Sequence, residues 1–293
     1  MFLLWLFAIA LLLGGLYLWM IAPADQHPDT TDLTGWRYAH RGLHDGNCEV
    51  PENSLHAFQL AVENGYGMEL DVQLTADGQL VVFHDKTLKR VCGIDLALHT
   101  LTYEQLKLYP LPDGTIIPLF SQVLDLVDGK APIIVEVKYH GDVTANARAA
   151  HKALENYRGA YCVESFHPLA MYYFRKNAPE TLRGQLASGG KYSKGESSLA
   201  VHLAMKYLLV NVLSRPHFVA YSVPEDKNPA MWLMKNLFKP LLAAWTIRDQ
   251  YTLDQCKGVY DYPIFELFPP KMAKNNRRTS RHAQGTPQRN TGN

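Results

Sequence analysis

The stretch Met68-Glu69-Leu70-Asp71-Val72-Gln73-Leu74-Thr75, followed after a short turn by Leu80-Val81-Val82-Phe83-His84-Asp85, decides how this chain is read. Side chains of a strand alternate between its faces, so Glu69, Asp71 and Gln73 share one side while Leu70, Val72 and Leu74 take the other. Two carboxylates on one face repel each other, and a bound divalent cation is the commonest way to offset that repulsion. Ala76-Asp77-Gly78-Gln79 reads as a tight turn that sends the chain back, bringing His84 and Asp85 toward the same region. The expectation is a metal site with a proton carrier beside it. The plainer reading is an amphipathic strand with a solvated acidic face.

Outward from this stretch, strand and helix signals alternate. Nine segments read as strands: 36–40, 68–75, 80–84, 132–138, 160–166, 182–187, 217–222, 241–247 and 262–266. Helical patterns fall between them, from Asn53 or Ser54 as an N-cap through Asn64, then over 102–108, 119–128, 142–157, 167–177, 196–212, 228–238 and 249–257. Gly42, just after the first strand, predicts a turn where the backbone passes close to something, as at the mouth of a ligand site. The turn before residue 80 has no room for the crossover helix that a parallel neighbour requires, so 80–84 should be an antiparallel return. Eight strands remain, and the βα repeat predicts a (β/α)8 barrel carrying one hairpin addition after its second strand. A chain of 293 residues with 47% hydrophobic content suits that size. A doubly wound open sheet is the alternative, but no G-x-G-x-x-G or Walker A sequence recommends it.

The barrel reading sorts the polar residues. His40, Glu69, Asp71, Glu136, Lys138, Glu164, Ser165 and Trp245 fall at or near the carboxyl ends of predicted strands, where barrel active sites sit. Taken singly, each has an ordinary account: a lone Glu-x-Lys is usually an ion pair and a tryptophan usually core. Their coincidence at one end points to a site.

The chain ends read differently. Phe2 to Ala22 is an uncharged run of 21 residues, long enough to cross a bilayer, with Trp5, Tyr17 and Trp19 near its ends as interfacial anchors. Ala22-Pro23-Ala24 loosely resembles a signal-peptide cleavage site. Yet the run exceeds a usual signal core and no Lys or Arg precedes it, which favours a retained, single-pass anchor. Residues 23–34 read as a polar linker, 35–270 as the barrel domain, and 271–293 as a basic tail expected to be disordered. Net charge is +1, but Lys271, Lys274, Arg277, Arg278, Arg281 and Arg289 follow the last acid, so the body is near −5. An acidic body argues against nucleic acid as a partner, and the basic tail favours the anionic cytoplasmic leaflet. Cys48, Cys92, Cys162 and Cys256 form no C-x-x-C pair and are expected to be free thiols.

His40-Arg41-Gly42, Pro51-Glu52-Asn53-Ser54, Glu69-Leu70-Asp71, Val82-Phe83-His84-Asp85, Glu136-Val137-Lys138, Glu164-Ser165-Phe166 and Trp245-Thr246-Ile247 occur in an order that resembles the glycerophosphodiester phosphodiesterase family, across roughly residues 36–268. The resemblance implies a TIM-barrel hydrolase that releases glycerol 3-phosphate and an alcohol from its substrates. It implies that Glu69, Asp71 and Glu136 hold one divalent metal ion, Mg2+ or Ca2+, and that His40 and His84 are the acid and base. Two departures stand out. The segment between Asp85 and Glu136 is compact, leaving little room for a substrate-covering insertion, and Ile264-Phe265-Glu266 stands where many members carry an Asp-containing loop.

The chemistry is coherent without the family. A phosphodiester is anionic, so attack needs its charge neutralised and its leaving alkoxide protonated. Arg41 as a fork and Lys138 as a point charge can hold the phosphate. Imidazole is the side chain suited to passing protons near neutral pH, so His40 and His84 can work as a pair, with either water or the substrate's glycerol hydroxyl as nucleophile. Asp85 is expected to orient His84 or cap a turn, Asn53 and Glu52 to support the site, and Glu164 and Trp245 to line its pocket. Pro229 to Phe238 is an unusually apolar helix. If it packs on the barrel the expected substrates are water-soluble glycerophosphodiesters; if it is exposed, membrane lysophospholipids come within reach. A membrane-tethered barrel that binds phosphate or lipid without catalysis is the alternative of another class.

Overall fold

Eight parallel strands close on themselves, and a ninth is appended antiparallel, as the alternation predicts. The computed structural model describes residues 1–190 and 198–270; the tail, 271–293, and the first residues of the helix expected over 196–212 lie outside that description. The barrel strands are β1 (Tyr38–Ala39), β2 (Gly67–Leu74), β4 (Ile133–Val137), β5 (Tyr161–Ser165), β6 (Arg183–Ala187), β7 (Phe218–Ser222), β8 (Leu241–Ile247) and β9 (Tyr262–Phe265), with β1 paired to both β2 and β9. Because β1 is only two residues long, the upper half of β2 is left open on that side. The return strand β3 (Leu80–Val82) pairs there, with Val72 opposite Val82.

Alternation along the strands divides the core into two layers. Leu70, Val72, Val135, Val137 and Val163 face outward and pack under α2 (Leu55–Glu63), α5 (Phe120–Val127), α6 (Val143–Leu154) and α7 (Pro168–Asn177). Tyr38, Ile134, Cys162, Phe218, Tyr262 and Ile264 face inward and fill the lower half of the barrel. Leu33 joins this inner plug and is buried. The polar segment 23–34, expected to be a linker, is thus the barrel's floor as well as its approach.

Other boundaries differ from expectation for local reasons. The helix expected over 196–212 is two, α8 (Leu199–Lys206) and α9 (Asn211–Ser214), broken where Leu208 takes a positive φ of 59°. Gly42 does approach something closely, but it is α2: a Cβ there would lie 2.8 Å from the Cβ of Ala57, so the glycine marks helix packing and not a ligand mouth. Residues 83–118 are more than a compact link. With α3 (Lys89–Cys92) and α4 (Tyr103–Leu106) they form a small lobe around Phe83, Leu88, Leu98, Leu106 and Ile117. The apolar segment after Pro229 is half packed and half exposed. In α10 (Pro229–Leu233) and the wide turn Met234–Phe238, Met231 and Met234 are buried on the sheet while Trp232 and Leu237 face outward.

The apolar run near the N-terminus is a 20-residue helix, α1 (Phe2–Ile21), long and apolar enough to span a bilayer. Its last turn is seated on the barrel, with Ile21 fully buried against Leu208, Met231 and Met234. Helix α11 (Gln250–Cys256) completes the outer layer between β8 and β9.

If Leu33 is part of the core, Leu33→Ala should cost about 2–5 kcal/mol, the range for a truncated core leucine. Denaturant unfolding of the full chain in detergent measures it; a change within about 0.5 kcal/mol would return the segment to a mere tether.

Candidate active site

The site is built by strand register. Asp71 on β2 lies level with Glu136 on β4, and Glu136 lies level with Glu164 on β5, so three inward carboxyls form a row near the carboxyl ends of neighbouring strands. Glu69 sits two residues before Asp71 on the same inward face. Among the described residues, Glu69, Asp71 and Glu136 each bring one carboxylate oxygen to within 4.8 Å of the others, and all three are buried. The expected ligand set therefore comes together.

Fixed partners hold this repulsive arrangement. The Lys138 ammonium lies 2.7 Å from Glu136 Oε1 and 3.3 Å from Asp71 Oδ1. Asn53 Nδ2 donates to Asp71 Oδ2 at 2.8 Å, while Ser54 caps α2, which settles the choice of cap. The Arg41 backbone N–H donates to Glu69 Oε2 at 3.0 Å. Burial first, then repulsion from Asp71, Glu136 and Glu164, pushes the Glu69 carboxyl well above its ordinary range. Burial also raises Glu136 against the pull of Lys138, and burial with Glu136 and Asp71 raises Glu164. Burial alone would raise Asp71 too, but Lys138, His84, Arg41 and Asn53 together hold it ionised. Asp71 Oδ1 has the Lys138 ammonium at 3.3 Å but no hydrogen-bond partner, and Glu164 Oε2, outside the cluster, has none. Three buried carboxylates with oxygens within 4.8 Å of one another, one of them incompletely satisfied, are the donor set of a hard divalent cation, so the residues fit one.

The two histidines use the same device. His40, directly after β1, donates from Nδ1 to Glu266 Oε1 at 2.6 Å, and His84, just after β3, donates from Nδ1 to Asp85 Oδ1 at 2.6 Å. In each case the carboxylate fixes the ring and leaves Nε2 for other contacts. His40 Nε2 lies 3.8 Å from Glu69 Oε2. Burial lowers the His40 pKa, with Glu266 opposing that shift. Asp85 is held below the ordinary range because hydrogen bonds from His84 and Arg90 outweigh its burial.

Around them lies a cavity of about 480 Å³ lined by His40, Arg41, Glu69, His84, Glu136, Glu164, Trp245 and Glu266 among others. A second, of about 550 Å³, adjoins it through His84, Arg90 and Phe166 and is lined by Lys86, Lys138, Tyr139 and His140. Trp245 walls the first cavity edge-on to Phe166, with ring centroids 5.5 Å apart. Glu52 lines the same cavity and supports the site through Arg41, as expected. It joins Arg41 (2.8 Å) to Arg90 (2.6 Å), tying the small lobe to the barrel.

Four residues that sequence reasoning assigned no task contribute. Glu266 orients His40, and Arg248 Nη2 holds its other oxygen at 2.8 Å. Gln73 Nε2 donates to the carbonyls of Phe83 and Asp85 at 2.7 and 3.0 Å, pinning the segment that carries His84. Arg90 grips Asp85 Oδ2 at 2.7 Å from the lobe. Gln73 was visible on the acidic face of its strand. Glu266 was hidden because only barrel closure makes β9 a neighbour of β1.

The sequence pattern that defines the glycerophosphoryl diester phosphodiesterase family matches residues 40–264. This chain belongs to that family. It is 33% identical over 155 residues to a glycerophosphodiester phosphodiesterase of Bacillus altitudinis, covering 48% of this chain and 62% of that protein. It is 34% identical over 159 residues to the human glycerophosphodiester phosphodiesterase 1, covering 47% and 44%. The chain thus spans less than two thirds of these curated relatives. Two solved structures share the barrel: a glycerophosphodiester phosphodiesterase from Thermotoga maritima (TM-score 0.60, 24% identity, covering 78% of this chain and 93% of that one) and an Oleispira antarctica phosphodiesterase in complex with the product sn-glycerol-3-phosphate (0.64, 20%, 79% and 93%).

Two outcomes test this geometry. Arg90 and Arg41 hold the Glu52 carboxyl at about 2, against an ordinary 4.5 and against its burial. A depressed folded value stabilises fully above the ordinary one and stops doing so as pH falls through the folded one. Glu52→Gln should therefore cost roughly 3 kcal/mol at pH 7, with the gap to the parent closing between about pH 5 and 2 in denaturant titrations. Since Glu266 supports the charged imidazole, Glu266→Gln should lower the His40 pKa further, read by NMR titration.

Proposed function

We propose that this barrel hydrolyses glycerophosphodiesters to glycerol 3-phosphate and an alcohol, aided by one divalent cation. The observation that carries the reading is the convergence of Glu69, Asp71 and Glu136 within 4.8 Å beside a cavity that both His40 and His84 line. Those three carboxylates would hold Mg2+ or Ca2+, which supplies charge neutralisation for the phosphodiester when bound.

The chain's own residues do the rest. Arg41 and Lys138 bracket the acidic cluster and supply fixed positive charge for the phosphate oxygens. His40 and His84, each held at Nδ1 by a carboxylate, work through Nε2: one takes a proton from the nucleophile and the other gives one to the leaving alkoxide, the nucleophile being water directly or the substrate's glycerol hydroxyl, whose cyclic phosphate product water then opens. Glu164, whose Oε2 is unpartnered, is placed to accept from a substrate hydroxyl. Cleavage of membrane lysophospholipids is the second reading, favoured by Trp232 and Leu237 lying exposed near a helix able to span a bilayer. On the same account α1 is a retained anchor, and the basic residues after Pro270 favour a cytoplasmic barrel.

Purified full-length protein should release glycerol 3-phosphate from glycerophosphoethanolamine, lose that activity to chelator, and regain it with Mg2+ or Ca2+. His40→Ala and His84→Ala should each lower kcat by about 10²–10⁴, and Glu69→Gln should weaken metal dependence and rate together. Turnover indifferent to chelator would sink the metal assignment. Metal binding with no diester cleaved would favour a non-catalytic barrel, and exclusive turnover of lysophosphatidylethanolamine would reverse the two substrate readings.

A further inference from the structure

A helix on the surface of a barrel normally buries one face against the sheet, as α6 and α7 do here. Helix α8 does not: none of its eight residues is buried, although most are apolar. Leu199 is 52% exposed, Val201 53% and Leu203 is exposed as well. Next to it, Trp232 is 62% and Leu237 55% exposed. The two segments lie on one side of the barrel, because Leu208 just beyond α8 and Met231 and Met234 beside Trp232 and Leu237 pack in a single cluster with Ile21.

Ile21 is the last residue of α1, and its attachment is rigid. Arg215 Nη1 donates to the carbonyls of Trp19 and Ala22 at 2.7 and 2.9 Å, and its guanidinium lies over the Trp19 ring at 5.0 Å. Asn211 Nδ2 donates to the Ile21 carbonyl at 2.8 Å, and the Ala24 N–H to the Pro216 carbonyl at 2.9 Å. Two of the carbonyls that the helix end leaves open, those of Trp19 and Ile21, are thus satisfied by the barrel itself. Twenty residues at 1.5 Å each reach about 30 Å, a hydrocarbon thickness, so the bilayer surface lies against this side of the barrel. Lys206 ends α8 and Lys239 ends the turn after α10, placing cations at the border of the apolar area, where long side chains reach lipid head groups.

We propose that the exposed face of α8 with Trp232 and Leu237 is a lipid-seated surface, which together with the clamped end of α1 holds the barrel in one orientation on the membrane. A bilayer is the occupant because the helix that leaves this same cluster is the one able to enter it. The proposal rests on reading α1 as membrane-spanning.

The test uses the full chain in nanodiscs of phosphatidylcholine and phosphatidylglycerol. An environment-sensitive fluorophore is attached at Leu203→Cys, Trp232→Cys, Ile9→Cys in the middle of α1, or Leu108→Cys, an exposed position on the small lobe. The background is Cys48→Ser with Cys92→Ala, which removes the two cysteines that are not buried. Brominated lipid should quench labels at 203, 232 and 9 at least about twofold more than the label at 108, and iodide should do the reverse. Quenching at 9 but not at 203 and 232 would overturn the seat and leave the anchor standing. Absence at all three would remove both readings. Labels at 203 and 232 shielded from both quenchers would mean protein covers the face, which also refutes a lipid seat. Retained glycerophosphodiester turnover confirms that each labelled chain is folded.

Discussion

Electrostatic repulsion among three buried carboxyls is what the rest of this structure has to accommodate. Glu69, Asp71 and Glu136 lie where water cannot screen them, and each is met by a fixed donor or cation: Arg41 through its backbone, Asn53, or Lys138. Those partners come from two separate connections of the barrel, the one between β1 and α2 and the one after β4, so the arrangement exists only when β1, β2 and β4 are in register. The apolar plug beneath, from Tyr38 to Ile264, keeps the lower half dry and confines the polar groups to the carboxyl ends of the strands.

Much of this was legible before any coordinates, for identifiable reasons. Period-two alternation over 68–75 and 132–138 makes the inward face acidic, and a four-residue turn cannot hold a crossover, so barrel and hairpin both follow from local pattern. What was missed is long-range. Leu33 looks like one apolar residue in a polar tether until the barrel closes over it, and Glu266 looks like a family departure until β9 lies beside β1. The lobe over 83–118 was underestimated because its elements are single turns, too short to show a period. The break between α8 and α9 turns on Leu208 adopting positive φ, to which an aliphatic residue gives no advance signal.

The small lobe also shows how two distant parts of the chain serve one proton carrier. Gln73 reaches from β2 to the carbonyls on either side of His84, while Arg90 grips Asp85 and Glu52 at once. His84 is therefore held by the barrel through backbone contacts and by the lobe through charge. Arg41 completes the circuit, since the Glu52 carboxylate that anchors Arg90 also receives Arg41. The groups proposed to bind phosphate and to carry a proton are thus mechanically joined.

The seam between β1 and β9 has a bearing on biosynthesis. His40 emerges from the ribosome 226 residues before the glutamate that orients it, so a nascent chain that has not yet made β9 lacks both a neighbour of β1 and the group that fixes the imidazole. Competence for proton transfer arrives only with the final stave. A chain shortened before β9 would therefore lose the barrel's closing seam and the orientation of His40 together rather than one without the other.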